Sequence, residues 1–165
     1  MTELAENPLL EGLRARRTPE PCALAIFGAS GDLTKRKLFP ALYALAYRNL
    51  LPENFGIVGV ARTDLATEEF RDRMRDAVVE HARDEFREDV WEGLAEGIRY
   101  VRADLADAED DESVSEALNE LDTTRGTRGN RVYYLAVPPN AIEPIVMQLG
   151  RRRATGGWTR LIVEK

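Results

Sequence analysis

The amino-acid sequence predicts an α/β fold: a doubly wound, mostly parallel sheet in three layers, with helices on both faces. Three observations lead to it. Five short apolar runs, "CALAIF", "GIVGV", "IRYV", "RVYYLAV" and "RLIVEK", alternate with stretches of helical spacing, and strands joined through helices pair in parallel. Most of these runs show little alternation of apolar and polar residues, which is the pattern of strands covered on both faces. The first run ends at a glycine-lined bend that opens at once into a basic helix, "GASGDLTKRKL". In open α/β sheets, ligands sit at such exits, beyond the carboxyl ends of the strands.

Taken in order, residues 1–20 form an N-terminal arm, because they carry two prolines and Arg14, Arg16 and Arg17 without a sustained apolar period. Residues 21–165 form the domain. After "CALAIF" and Gly28, the stretch "KLFPALYALAYRNLL" has helical spacing through Leu38, Leu42, Leu45 and Ala46. Pro40 is compatible with it only in the first turns. "GIVGV" gives the second strand. Thr67 is the expected N-cap of a helix whose stripe is Phe70, Met74, Val78 and His81, and a shorter helix, "EDVWEGLA", follows. "IRYV" is the third strand, and "ESVSEALNEL" is a helix with Val114, Ala117, Leu118 and Leu121 on one side. The turn residues "TTRGTRGN" introduce "RVYYLAV", a double proline, the helix "AIEPIVMQLGRRR" and the last strand, "RLIVEK". No internal repeat interrupts the pattern. Right-handed crossovers make this a Rossmann-like sheet with every strand exit in one crevice. Those exits are Gly28 to Lys37, Arg62, Asp104, Tyr134 to Pro139, and Glu164 with Lys165.

Composition narrows the partners. A chain of 165 residues with 44% apolar residues builds an ordinary core. Its 29 acidic and 23 basic residues leave a net charge of -6, which gives no general attraction to nucleic acid or to an anionic membrane. Any anion must be held locally. No apolar run has the length of a membrane span and the N-terminus lacks a signal-peptide block, so the cytoplasm is the expected location. Cys22 and His81 are the only residues of their types and suggest neither a metal site nor a Cys-His catalytic pair. Both read as structural.

At the first exit, Gly28 allows a sharp turn and Gly31 allows backbone to approach a pyrophosphate at a helix start. Ser30 adds a hydroxyl, and Asp32 is expected to cap the helix. Lys35, Arg36 and Lys37 lie where cations oppose the helix dipole, which a bound phosphate would offset. A loop that merely needs glycines is the competing reading, and no G-K-[ST] makes it a P-loop. At the second exit, Arg62 stands where NAD-selective sites usually carry an acidic residue, and an Arg there can accept the 2′-phosphate of NADP. Asp64 points the other way. At the fourth exit Tyr134 and the two prolines either wall a flat ring or belong to the core.

Together, "GASGDLTKRKLFPAL", "VGVAR", "YYLAVPP" and "IVEK" resemble, in order and interval, the cofactor domain of the glucose-6-phosphate dehydrogenase family, over residues 22–165. That family oxidises glucose 6-phosphate to its 1,5-lactone and passes hydride to NADP, the first step of the pentose phosphate pathway. The resemblance implies that Gly28, Ser30, Gly31, Asp32, Leu33 and Lys35 form the cofactor loop, that Arg62 grips the 2′-phosphate and that Tyr134 borders the cofactor. It implies that Lys165, matching the lysine of the family's "EKPFG", contacts both cofactor and sugar phosphate. It implies a homo-oligomer for the whole enzyme, associating through a second, α+β domain. Here the motif stops at its lysine, and the family's "RIDHYLGKE", which carries the general-base histidine, is absent. The expectation is therefore an incomplete enzyme that binds cofactor without catalysing. A non-catalytic NADP-sensing module is the alternative; an enzyme of nucleotide sugars is disfavoured, because no Tyr-x-x-x-Lys occurs.

Overall fold

The computed structural model describes residues 19–104, 110–152 and 156–164. Its elements run β1 (Cys22–Phe27), a π-helical turn (Thr34–Leu38) leading into α1 (Phe39–Tyr47), β2 (Phe55–Ala61), α2 (Thr67–His81), α3 (Glu88–Ala95), β3 (Ile98–Arg102), α4 (Asp110–Arg125), β4 (Arg131–Leu135), α5 (Pro139–Arg151) and β5 (Thr159–Val163). All strands pair in parallel in the order β3-β2-β1-β4-β5. The first strand in sequence is central in space, and the winding reverses beside it, between β1 and β4. This is the doubly wound sheet that the apolar runs predict. The arm up to residue 18 lies outside the described residues.

Two apolar layers sandwich the sheet, and β1 feeds both. Ile26 packs with Ile57, Tyr43, Phe70 and Met74 on the side of α1 to α3. Its neighbour Phe27 packs with Val58, Leu118, Leu121 and Ile145 on the side of α4 and α5. A strand that is apolar at successive positions is required when both faces are covered, and burial of each large side chain contributes about 1.5–3 kcal/mol. At Gly59 in β2 a Cβ would stand 2.7 Å from Phe70 Cζ, so the missing side chain is what seats α2 on the sheet. The edge strand β5 is exposed along its whole length.

One local expectation is corrected by a tertiary partner, and another holds. Thr67 is the first residue of α2 rather than its cap; Ala66 holds the cap position, and the Thr67 hydroxyl accepts the Tyr100 amide N–H of β3 at 3.1 Å. Pro40 stands where expected, as the second residue of α1. The preceding π-turn, closed by the Phe39 N–H on Thr34 O, shifts the ladder by one residue where the proline offers no donor.

The turn into β4 is fastened by one carboxylate. Asp122 accepts from Thr127 Oγ1 at 2.6 Å, from the Gly129 amide at 2.8 Å and from both terminal nitrogens of Arg131, the closer at 2.5 Å. Burial alone would raise its pKa. The hydrogen bonds from Arg131, Thr127 and Gly129, with the Arg131 charge, outweigh that and hold it down to about 2. Cys22 is buried in β1, and burial pushes its thiol up. His81 is half-buried at the end of α2, with Nε2 3.6 Å from the Glu80 carboxylate. No helix among the described residues is long and apolar enough to cross a membrane.

Candidate functional site

The site is built around the bend that leaves β1. Gly28 has φ +85°, and a Cβ on it would stand 2.1 Å from Ala136 O, just past β4. Two facts thus demand glycine, a left-handed backbone and a neighbouring chain with no room to give. The Gly28 and Ala29 amides both donate to Val60 O, at 2.9 and 3.1 Å, and the Ala136 amide donates to Phe27 O at 2.9 Å. The bend is therefore stitched to β2 on one side and to β4 on the other. Gly28 O in turn accepts the Gly31 amide at 3.0 Å and the hydroxyl of fully buried Thr34 at 3.2 Å.

Above this anchored floor the surface is open. Gly31 and Asp32 are exposed, and a Cβ on Gly31 would have only Gly28 O within reach, at 3.1 Å. First-turn amides of a helical run lack partners within the helix and carry partial positive charge. A bare backbone surface beside such amides fits a pyrophosphate. Asp32 does not act as the expected cap: its carboxylate pairs with Arg36 Nε at 2.9 Å, one turn on. This leaves Lys35, half-buried, and Lys37, exposed, as the cations of the run without an ion-pair partner among the described residues.

The exit of β2 lies against the bend. Thr63 Oγ1 donates to Ser30 Oγ at 3.1 Å, a side-chain bond between two loops 33 residues apart. Arg62, one residue earlier, is exposed and has no carboxylate partner among the described residues. Underneath, the Tyr100 hydroxyl of β3 donates to Thr63 O at 2.6 Å. At the β4 exit, Tyr134 is level with Ile26 of β1 and Ile162 of β5. Its hydroxyl donates a short hydrogen bond to the Glu164 carboxylate. Burial first, then Glu164, pushes the Tyr134 phenol up to about 12, so it remains a donor at neutral pH. Tyr133 points into the core on the α4 and α5 side.

Gly28, Ser30, Gly31, Asp32, Leu33 and Lys35 thus share one bend and helix start, with Arg62 just beyond β2 on one side and Tyr134 in β4 on the other. Lys165 lies outside the described residues. Tyr100 beneath Thr63 was not singled out by sequence reasoning, and Glu164, placed at the fifth exit, was not read as the partner of Tyr134. An aromatic with a polar tip inside the run "IRYV" was the one signal for Tyr100. No metal-binding cluster of His, Cys, Asp or Glu occurs among the described residues.

A parallel sheet reversing at a glycine bend, with Arg62, Thr63 and Asp64 all exposed on the turn that follows β2, is the arrangement of a dinucleotide-binding α/β domain. Comparison with known proteins agrees. Residues 25–165 match the family model "Glucose-6-phosphate dehydrogenase, NAD binding domain". The chain is 42% identical over 166 residues to glucose-6-phosphate 1-dehydrogenase 2 of Mycobacterium tuberculosis, covering 96% of this chain and 32% of that protein. It is 42% identical over 153 residues to glucose-6-phosphate 1-dehydrogenase of Chlamydia muridarum, covering 88% of this chain and 30% of that protein. A solved glucose-6-phosphate dehydrogenase in complex with glucose-6-phosphate superposes with a TM-score of 0.76 at 28% identity, covering 90% of this chain and 31% of that chain. The Mycobacterium avium enzyme gives 0.74 at 31% identity, covering 88% and 30%. The chain belongs to the glucose-6-phosphate dehydrogenase family and carries its NAD-binding domain. It spans about a third of the length of the curated relatives it matches.

Proposed function

We propose that this chain is the NADP-binding part of an enzyme that oxidises glucose 6-phosphate to its lactone, with residues 21–165 as the cofactor domain and 1–20 as an arm. The observation that carries the reading is the Thr63–Ser30 hydrogen bond, which brings the glycine bend and the Arg62 turn to a single place. The Gly28–Gly31 backbone and the first-turn amides would hold the cofactor's pyrophosphate. Arg62 and the Ser30 hydroxyl, which Thr63 holds by donating to it, would be the donors for the 2′-phosphate, charge-assisted from the guanidinium. When bound, the nicotinamide would supply the hydride acceptor for the anomeric carbon. Tyr134, held as a donor to Glu164, borders that ring, and Lys165 bridges towards the sugar phosphate by resemblance to the family.

Oxidation of the sugar also needs a base within hydrogen-bond reach of its hydroxyl proton. The chain's single histidine, His81, is at the far end of α2 from the Arg62 turn, and its neighbour is Glu80. Cofactor binding without turnover is the expected behaviour of these residues, and the sugar phosphate and any self-association belong to the whole enzyme. Purified protein mixed with NADP and glucose 6-phosphate is expected to form no NADPH. Formation of NADPH that His81→Ala abolishes would overturn this division of labour.

A further inference from the structure

The segment that carries Arg62 has no regular structure of its own between β2 and α2, yet it is clamped at both ends by one residue of the neighbouring strand. The Tyr100 hydroxyl donates to Thr63 O at 2.6 Å and lies 3.4 Å from Ala61 O. The Tyr100 amide donates to Thr67 Oγ1 at 3.1 Å. One residue of β3 therefore brackets residues 61–67, while Thr63 Oγ1 ties the middle of the segment to Ser30. The ring beneath is buried: it is 8% exposed and its centroid lies 4.8 Å from that of Phe70, itself fully buried. Phe70 in turn fills the space left by Gly59.

We propose that Tyr100 is a positioning residue for recognition of the ribose 2′-phosphate, its hydroxyl fixing the Arg62–Thr63 turn against Ser30. The inference rests on the NADP reading above. An exposed Arg on an unrestrained turn would lose much of its binding energy to ordering the turn and its own side chain. A hydroxyl bonded to the backbone of the adjacent residue removes part of that cost without touching the ligand. Burial pushes the Tyr100 phenol above its ordinary value, so the clamp stays a hydrogen-bond donor across neutral pH.

The test compares adenosine 2′,5′-bisphosphate with adenosine 5′-monophosphate, which differ only by the 2′-phosphate, in titrations at fixed ionic strength. Tyr100→Phe keeps the ring and deletes the hydroxyl. It is expected to weaken the bisphosphate about three- to ten-fold, the scale of one hydrogen bond, and to leave the monophosphate unchanged. Thr63→Val, at an exposed position, is expected to shift the ratio in the same direction. Equal weakening of both ligands would mark Tyr100 as an ordinary structural residue and overturn the proposal. A preference that Arg62→Ala abolishes but Tyr100→Phe leaves intact would overturn the proposal alone, with the NADP reading standing. Absence of any preference in the unaltered protein would overturn both. Should Tyr100→Phe fail to fold, judged by circular dichroism, Thr63→Val decides, and an unchanged ratio there overturns the proposal.

Discussion

Gly28 and Ala136 meet backbone to backbone at the point where the sheet reverses: a Cβ on Gly28 would stand 2.1 Å from Ala136 O. The contact closes the crevice floor between β1 and β4 and fixes the height of the helix start above it. Gly28→Ala adds a left-handed φ cost to a clash with main chain, which cannot step aside as a flexible side chain could. A destabilisation of more than about 2 kcal/mol is expected from the two together. Chemical denaturation measures it. Nucleotide binding should be lost even under conditions where the variant stays folded.

Asp122 makes stability depend on acid. Its folded pKa of about 2 lies below the ordinary value of 3.8, so the unfolded chain binds the proton more readily than the folded one. The contribution is fully present above pH ~4 and is lost as pH falls through ~2; a shift of this size corresponds to on the order of 1–2 kcal/mol. Stability measured from pH 5 down to pH 2 should fall more steeply in the unaltered protein than in Asp122→Asn.

Asp122→Asn and Asp122→Ala should also be costly at neutral pH. Both leave the Arg131 guanidinium, whose side chain is 7% exposed, without its carboxylate. Removing one partner of a buried pair typically costs about 3–5 kcal/mol. Urea denaturation gives the value. Restoring stability with a second change, Arg131→Met, would show that the stranded charge is the cause.

Thr67 matters for its hydroxyl. β3 is an edge strand, and the Tyr100 amide on it would go unpaired without Thr67 Oγ1 at 3.1 Å. Thr67→Val keeps the shape and deletes the acceptor, so a loss of about 1–3 kcal/mol is expected, with hydrogen exchange at the Tyr100 amide accelerated beyond that of its neighbours.

The strands were legible because β1 and β2 are buried on both faces, and a strand covered on both faces must be apolar at successive positions. The bend was legible because Gly28 and Gly31 mark local backbone demands. What the sequence misstated were roles decided by which partner a side chain finds. Thr67 obeys cap statistics, yet its hydroxyl is taken by a strand 33 residues away. Asp32 has the right type and place for a cap and is instead drawn to Arg36. Tyr100 and Glu164 left no periodic trace, since their partners lie 37 and 30 residues away and periodicity reports only which face a residue shares.

The central claim is that the crevice holds NADP and reads its 2′-phosphate through Arg62. Calorimetric titration of the protein with NADP and then NAD, repeated on Arg62→Ala, tests it most directly. Charge-assisted hydrogen bonds to the phosphate are expected to give NADP a preference of roughly ten- to a hundred-fold, most of which disappears in the variant. Equal affinity for the two nucleotides, a preference that survives Arg62→Ala, or no binding by demonstrably folded protein would contradict it.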